Sequence, residues 1–214
     1  MNILVKRKDL VIKLRPLNKG DLPTLAEHFS SMKVHFYTKG LFAQTLENEI
    51  EWYEKNRQSR DSVHWAIVPI GDNTPDIPIG ITGLHDLDSR ANSCVSGIII
   101  WDTSWWGKGV ASSAHLARTL FAADYLNRWQ IQSTVREENT ASLRALKRVG
   151  YSVWGTDPCP VRKAGRWLPT HHLVWINPDT QNYMFPGAIP TKYQRGIKKA
   201  TTALTLARNI VEFP

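Results

Sequence analysis

Two glycines punctuate the stretch Ile98-Ile99-Ile100-Trp101-Asp102-Thr103-Ser104-Trp105-Trp106-Gly107-Lys108-Gly109-Val110-Ala111, between an apolar run and a helix-like segment. A strand that passes through a glycine turn straight into a helix presents the first helical N–H groups, which have no internal partner, at the positive end of the helix dipole. Glycine lets that backbone approach a ligand closely, so the arrangement suits phosphate oxygens, and Lys108 adds a cation at the rim. Gly-x-Gly between a strand and a helix is also an ordinary tight turn. It is neither the Gly-Lys-Ser/Thr phosphate loop nor the Gly-x-Gly-x-x-Gly dinucleotide fingerprint.

A second segment follows about thirty residues later. In Val135-Arg136-Glu137-Glu138-Asn139-Thr140-Ala141-Ser142-Leu143-Arg144-Ala145-Leu146-Lys147-Arg148-Val149-Gly150-Tyr151 a strand end meets Asn139, a good helix N-cap. The helix it opens carries Lys147 and Arg148 in its last turn and Gly150 just past its end. At this spacing the pair resembles the two signatures of the GNAT N-acetyltransferase superfamily. Trp-Gly-Lys-Gly resembles the ribosomal-protein-alanine (RimJ/RimL-type) branch, and the resemblance covers about residues 10 to 177.

The resemblance implies an α/β (α+β) fold: a mixed, mostly antiparallel seven-stranded sheet with a splayed parallel pair in its centre and helices on both faces. It implies acetyl-CoA as acyl donor, with the pyrophosphate on Trp106, Gly107, Lys108, Gly109, Val110 and Ala111. The strand at Ile99 to Trp101 would offer main-chain groups to the pantetheine arm, and Asn139 and Ser142 would form the far wall. Some relatives place a Tyr along the second helix to protonate the leaving thiolate. Leu146 stands there in this chain, which passes the role to Ser142 or a water. The branch often has Glu in the first turn after the glycines, where this chain has Ser112-Ser113. The general base is therefore open among Glu137, His85, Asp86, His171 and His172. An α-amino acceptor, with an unperturbed pKa near ~8, asks less of a base than a lysine at about 10.4. Direct attack in a ternary complex is expected, because neither Cys94 nor Cys159 stands in a nucleophile context.

These segments need a scaffold, and the periodicity supplies one. Val11 to Leu17 alternates as a half-buried strand. A short helix through Leu22, Leu25, Ala26 and Phe29 follows, then a helix from Thr45 to about Gln58 with its carboxylates towards the N-terminal half. Strands are expected at Val63 to Ile70, Ile77 to Leu84 and Ser93 to Trp101, with a turn at Gly71 to Asp76 and a hairpin loop at Asp86 to Asn92. A helix from Val110 to Leu126, a strand from Trp129 to Val135, a helix from Thr140 to Val149 and strands at Tyr151 to Gly155 and Trp167 to Ile176 complete the order. Central helices that follow strands make part of the sheet parallel.

The division expected is an N-acetyltransferase domain over residues 1–177 and a C-terminal extension over residues 178–214. In the extension, Thr191 to Phe213 reads as one basic amphipathic helix, with Ile197, Ala200, Leu204, Ala207 and Val211 as its apolar stripe and Lys192, Arg195, Lys198 and Lys199 near its start. A net charge of +8 favours acidic partners without choosing among them. Nucleic acid or a ribosome could be met through that helix, which could equally pack on the domain or across a homodimer. No apolar run approaches the roughly 18–20 residues of a membrane span, so no membrane association is expected. The start of the chain lacks a signal-peptide pattern. Two cysteines match no metal-ligand spacing, which points to reduced thiols, no metal and a cytoplasmic location. Protein N-termini are the first acceptor expected, with small amines behind and a non-catalytic acyl-CoA-binding module as the non-enzyme alternative. The acceptor pocket would draw on Trp52, Trp65 and Trp167.

Overall fold

Apolar alternation near the start of the chain builds two strands, where the periodicity predicts one. In the computed structural model, which describes residues 1–7, 9–29, 31–38, 44–71 and 74–214, β1 (Ile3–Arg7) pairs antiparallel with β2 (Leu10–Pro16). Then come α1 (Leu22–Phe29), α2 (Met32–His35), α3 (Leu46–Gln58), β3 (Val63–Ile70), β4 (Gly80–Asp88) and β5 (Ser93–Ile100). Asp72 and Asn73 of the expected turn lie outside the described residues. The second half holds α4 (Val110–Leu120), β6 (Gln130–Arg136), α5 (Thr140–Arg148), β7 (Ser152–Asp157), β8 (Arg162–Lys163), β9 (Arg166–Trp167), β10 (Thr170–Ile176), α6 (Gln181–Met184), α7 (Thr191–Ile210) and β11 (Val211–Glu212).

The main sheet has nine strands in the order β11-β1-β2-β3-β4-β5-β6-β10-β7. Seven are those expected, in a mostly antiparallel sheet with one parallel pair, β5 with β6, near its middle. The two additions are β1 and β11, joined through Leu4 with Glu212 and Val5 with Val211. They corrected the count because β1 is short and β11 is the last turn of what reads, by periodicity, as helix. Edge pairing competes there with the helical ladder, so α7 stops at Ile210 rather than Phe213.

Both faces of the sheet are covered. Leu22 and Leu25 of α1 and Val34 of α2 pack with Ile81 and Trp101 on one face. On the other, α4 is buried nearly all round, and Ala200, Ala203, Leu204 and Ala207 of α7 share its core cluster. Close approach there needs glycine: a Cβ on Gly150, whose φ is +107°, would lie 2.6 Å from the backbone N of Ala200. The helix expected to run to Leu126 widens into a π turn at Phe121–Tyr125. The single strand expected from Trp167 breaks at Leu168 and Pro169. Pro169 has no N–H to give a ladder, and the residues before it form the small hairpin β8–β9.

Candidate active site

The glycine segment forms the turn its composition requires. Gly107 has φ +78° and Gly109 φ +88°, a left-handed region costly for residues with a Cβ. Gly109 is the N-cap of α4, and the first intrahelical bond runs from Ser113 N to Gly109 O at 3.0 Å. The amides of Val110, Ala111 and Ser112 therefore begin the helix with no carbonyl four residues behind them to bond. A short 3-10 turn, Thr103–Trp105, leads in, with the Asp102 carboxylate accepting from Ser104 N at 2.9 Å. Trp106 donates through Nε1 to Ile100 O at 2.9 Å, and Lys33 lies over its ring at 5.3 Å. Lys108 is exposed over the ring of Trp105. The result is a cradle whose shape and sign suit an anion, with two cations beside it.

The cradle stands at the mouth of a fork between strands. Parallel pairing of β5 with β6 covers only Ser93–Val95 against Gln130–Gln132. Beyond it side chains replace the ladder: Ser96 Oγ donates to Gln132 O at 3.2 Å and Ser133 Oγ to Ser96 O at 3.3 Å. Past that point the strands part. Main-chain groups alternate in direction along a strand. Trp101 N donates to Ile79 O at 3.1 Å, and Gly97 O accepts from Thr82 Oγ1 at 2.9 Å, so these residues turn towards β4. By the same alternation Ile98 and Ile100 turn their main-chain groups towards the cleft, with the Ile100 carbonyl accepting from Trp106 Nε1, so that of the expected stretch Ile99 to Trp101 only Ile100 faces that way. Trp101 instead is a buried wedge, stacked on His28 and bonded from Nε1 to Pro78 O.

Asn139 caps α5 on the other side of the fork, its Oδ1 accepting from Ser142 N at 3.1 Å. Ser142 is half-buried, and Leu146 is turned into the core. Glu137 is exposed at the end of β6, 3.9 Å from His171 Nε2, while His171 Nδ1 lies 2.8 Å from Thr156 Oγ1. His172 faces the ring of Trp154 on the sheet's far edge. Glu138 is held by Arg166 at 3.0 and 3.3 Å.

On the α1–α3 face, His85 of β4 stands opposite Val95, the last β5 residue paired with β6. Its Nδ1 is 2.9 Å from the Asp86 carboxylate. Asp86 sits at φ +53°, where the β4–β5 register shifts, and such a bulge re-aims side chains. With Nδ1–H given to Asp86, the free nitrogen is Nε2. Beside it lies His64, in edge contact with Trp52; burial first, and the nearby His85 second, push its pKa down to about 4. Gly83 makes room for that ring, since a Cβ there would come within 2.6 Å of it. Of the three tryptophans expected near the acceptor, only Trp52 joins this group. Trp65 is core against Phe121, and Trp167 is exposed on the hairpin β8–β9. That hairpin ties down α2, with Lys163 Nζ donating to His35 O and Thr38 O at 3.0 and 2.9 Å. His64, Thr82 and Arg118 carry no sequence signal, because their partners across the sheet are fixed by strand register and by the packing of α4 on it.

A family model described as acetyltransferase (GNAT) domain matches residues 12–152. A comparison with curated proteins finds no match. Among solved structures, Mycobacterium smegmatis RimJ in complex with CoA-disulfide superposes with a TM-score of 0.71 at 15% identity, covering 100% of this chain and 97% of its own. Vibrio cholerae spermidine N-acetyltransferase in complex with CoA and spermine gives 0.70 at 20%, covering 77% and 95%. An acetyltransferase of the GNAT family from Bacillus anthracis gives 0.64 at 21%, covering 81% and 98%. At these identities the likeness is one of fold.

Proposed function

Because the chain belongs to the GNAT acetyltransferase family and is an acyl-CoA-dependent N-acetyltransferase, we propose that it moves an acetyl group from acetyl-CoA to a primary amine, first of all a protein N-terminus, by direct attack in a ternary complex. The observation that carries this reading is the left-handed pair Gly107 and Gly109 at the start of α4, set beside a fork between parallel strands. Trp106, Gly107, Lys108, Gly109, Val110 and Ala111 would hold the pyrophosphate through backbone amides and the helix dipole. The fork would take the pantetheine arm, with Ile98 and Ile100 on one wall and Asn139 and Ser142 on the other.

Three groups carry the chemistry in this reading. His85, oriented by Asp86, takes the proton of the amine; Glu137 is the competing base, exposed and farther from an orienting partner. Ser142 Oγ donates to the leaving thiolate. The Ile98 N–H faces the thioester carbonyl and stabilises its developing negative charge. A protein N-terminus is favoured over a polyamine because Glu138, the carboxylate beside the β8–β9 hairpin, is already held by Arg166, and Arg162 there is an exposed cation. The RimJ/RimL-type branch fits Trp-Gly-Lys-Gly and a likeness to RimJ that includes the C-terminal segment.

A second reading adds a docking surface. Arg144, Lys147 and Arg148 of α5 and Lys192, Arg195 and Lys198 of α7 are exposed on helices that contain no carboxylate and meet at Gly150 and Ala200. Such a surface suits nucleic acid or a ribosome, where binding falls steeply with salt.

Thiol release from acetyl-CoA, measured with N-terminal peptides, their N-blocked forms and spermidine, tests the main reading. Free peptides should react and blocked ones should not, and Gly109→Trp should abolish release. Acetyl-CoA binding without any amine being modified would leave only a non-catalytic module. RNA binding that persists unchanged in Lys198→Glu would remove the docking surface.

A further inference from the structure

Arg118 of α4 is fully buried, and among the described residues no carboxylate pairs with it. Its guanidinium donates to Thr82 Oγ1 at 2.8 Å and Gly97 O at 2.7 Å, and lies 2.8 Å from His115 Nδ1. Since Arg can only donate, the lone pair of His115 Nδ1 accepts, which makes that imidazole neutral with its proton on Nε2. His115 Nε2 and Arg118 Nε are buried without a partner. A buried cation with no carboxylate beside it is a costly group for a core to hold. Apolar packing thus gives no reason for a cation at this position, and its polar neighbours Thr82, His115 and Tyr151 are what hold it.

Besides these side chains the charge grips one peptide group. Gly97 O accepts from both Thr82 Oγ1 and Arg118 Nη1, on the side of β5 that faces β4 and α4. In a trans peptide the N–H points opposite to the C=O, so the Ile98 N–H is directed into the fork. A Cβ built on Gly97 would meet no atom within 4 Å; protein packing does not demand glycine there, and the space lies open beside that N–H. A charged donor on the carbonyl also polarises the amide and strengthens its N–H as a donor.

We infer that Arg118, with Thr82, is a positioning residue that holds and polarises the Gly97–Ile98 peptide so that its N–H meets the thioester carbonyl. This rests on the acyl-CoA reading above. A donor fixed before the reaction costs no reorganisation when charge develops on the carbonyl oxygen. Arg118 itself touches neither substrate.

The test reads the carbonyl directly. Infrared difference spectra of carbonyl-13C acetyl-CoA bound to the wild type should show the C=O stretch below its free value. In Thr82→Val and Arg118→Met it should return at least halfway, while acetyl-CoA affinity changes by less than about threefold. With a peptide acceptor, Arg118→Met should lower kcat at least about tenfold with KM for acetyl-CoA unchanged, and Arg118→Lys should recover part of the loss. Thermal unfolding of Arg118→Met should stay cooperative and lie above the assay temperature, lowered only by the acceptors the change leaves unbonded. Variants that fold, bind acetyl-CoA and keep the wild-type stretch would overturn the inference and leave the acetyltransferase reading standing. A wild type that binds no acetyl-CoA would remove both. Unfolding of Arg118→Met would make the charge structural, and a wild-type stretch in Thr82→Val would then finish the positioning role.

Discussion

At the scale of single residues, the proposed proton acceptor is a histidine whose partner is its own neighbour. His85 Nδ1 lies 2.9 Å from the Asp86 carboxylate, which in the proposed reaction leaves Nε2 for the amine. A general base of this kind contributes about 10²–10⁴-fold to rate. His85→Gln is therefore expected to lower kcat by about 100-fold while leaving KM for acetyl-CoA within about twofold. Steady-state kinetics with a reactive peptide decide this, and an equal loss in Glu137→Gln with none in His85→Gln would hand the role to Glu137. Asn139 shows the opposite degree of legibility. Its cap on Ser142 N is readable from sequence because a cap joins residues three apart, and the structure places the bond at 3.1 Å.

Elements carry the next constraint, and glycine sets how closely they meet. Gly150 ends α5 in a left-handed conformation and lets α7 approach to contact at Ala200; Gly196 does the same against Ser152 and Gly150 O. Gly150→Ala combines strain at positive φ with a clash against backbone, and should destabilise the fold by about 2–4 kcal/mol. Urea unfolding would measure it, and a loss below about 1 kcal/mol would mean that α7 yields without cost. Periodicity predicts α5 within one residue and the start of α4 at Val110. It misplaces the end of α7 and the break before β10, because edge pairing and a proline in the ladder decide those boundaries rather than side-chain pattern.

Across the whole molecule, two histidines held neutral tie stability to pH. Burial, then His85, pushes His64 down to about 4, and burial, then Arg118, pushes His115 well below its ordinary value. In the unfolded chain both would take up protons near pH ~6.5. Between that pH and their folded values the unfolded state binds more protons, so their contribution is full above about 6.5 and is lost as pH falls through the window. The melting temperature should drop between about pH 7 and pH 4.5, and His64→Phe should lessen the drop. An identical pH profile for the variant would show that His64 is protonated in the fold without penalty.

Local chemistry was what the amino-acid order determined by itself. The glycine turn at Trp106–Ala111, the Asn139 cap, the helical spacing of α4 and α5 and the alternation of seven strands all depend on residues within a few positions of one another. Together they were enough for the fold class and for the donor half of the site as proposed. Only the tertiary structure decided which main-chain groups of β5 face the fork, how His64 and His85 come together, and that Arg118 reaches Gly97. Those contacts are set by inter-strand register and by the packing of α4 on the sheet, where one residue of slip would turn each group the other way.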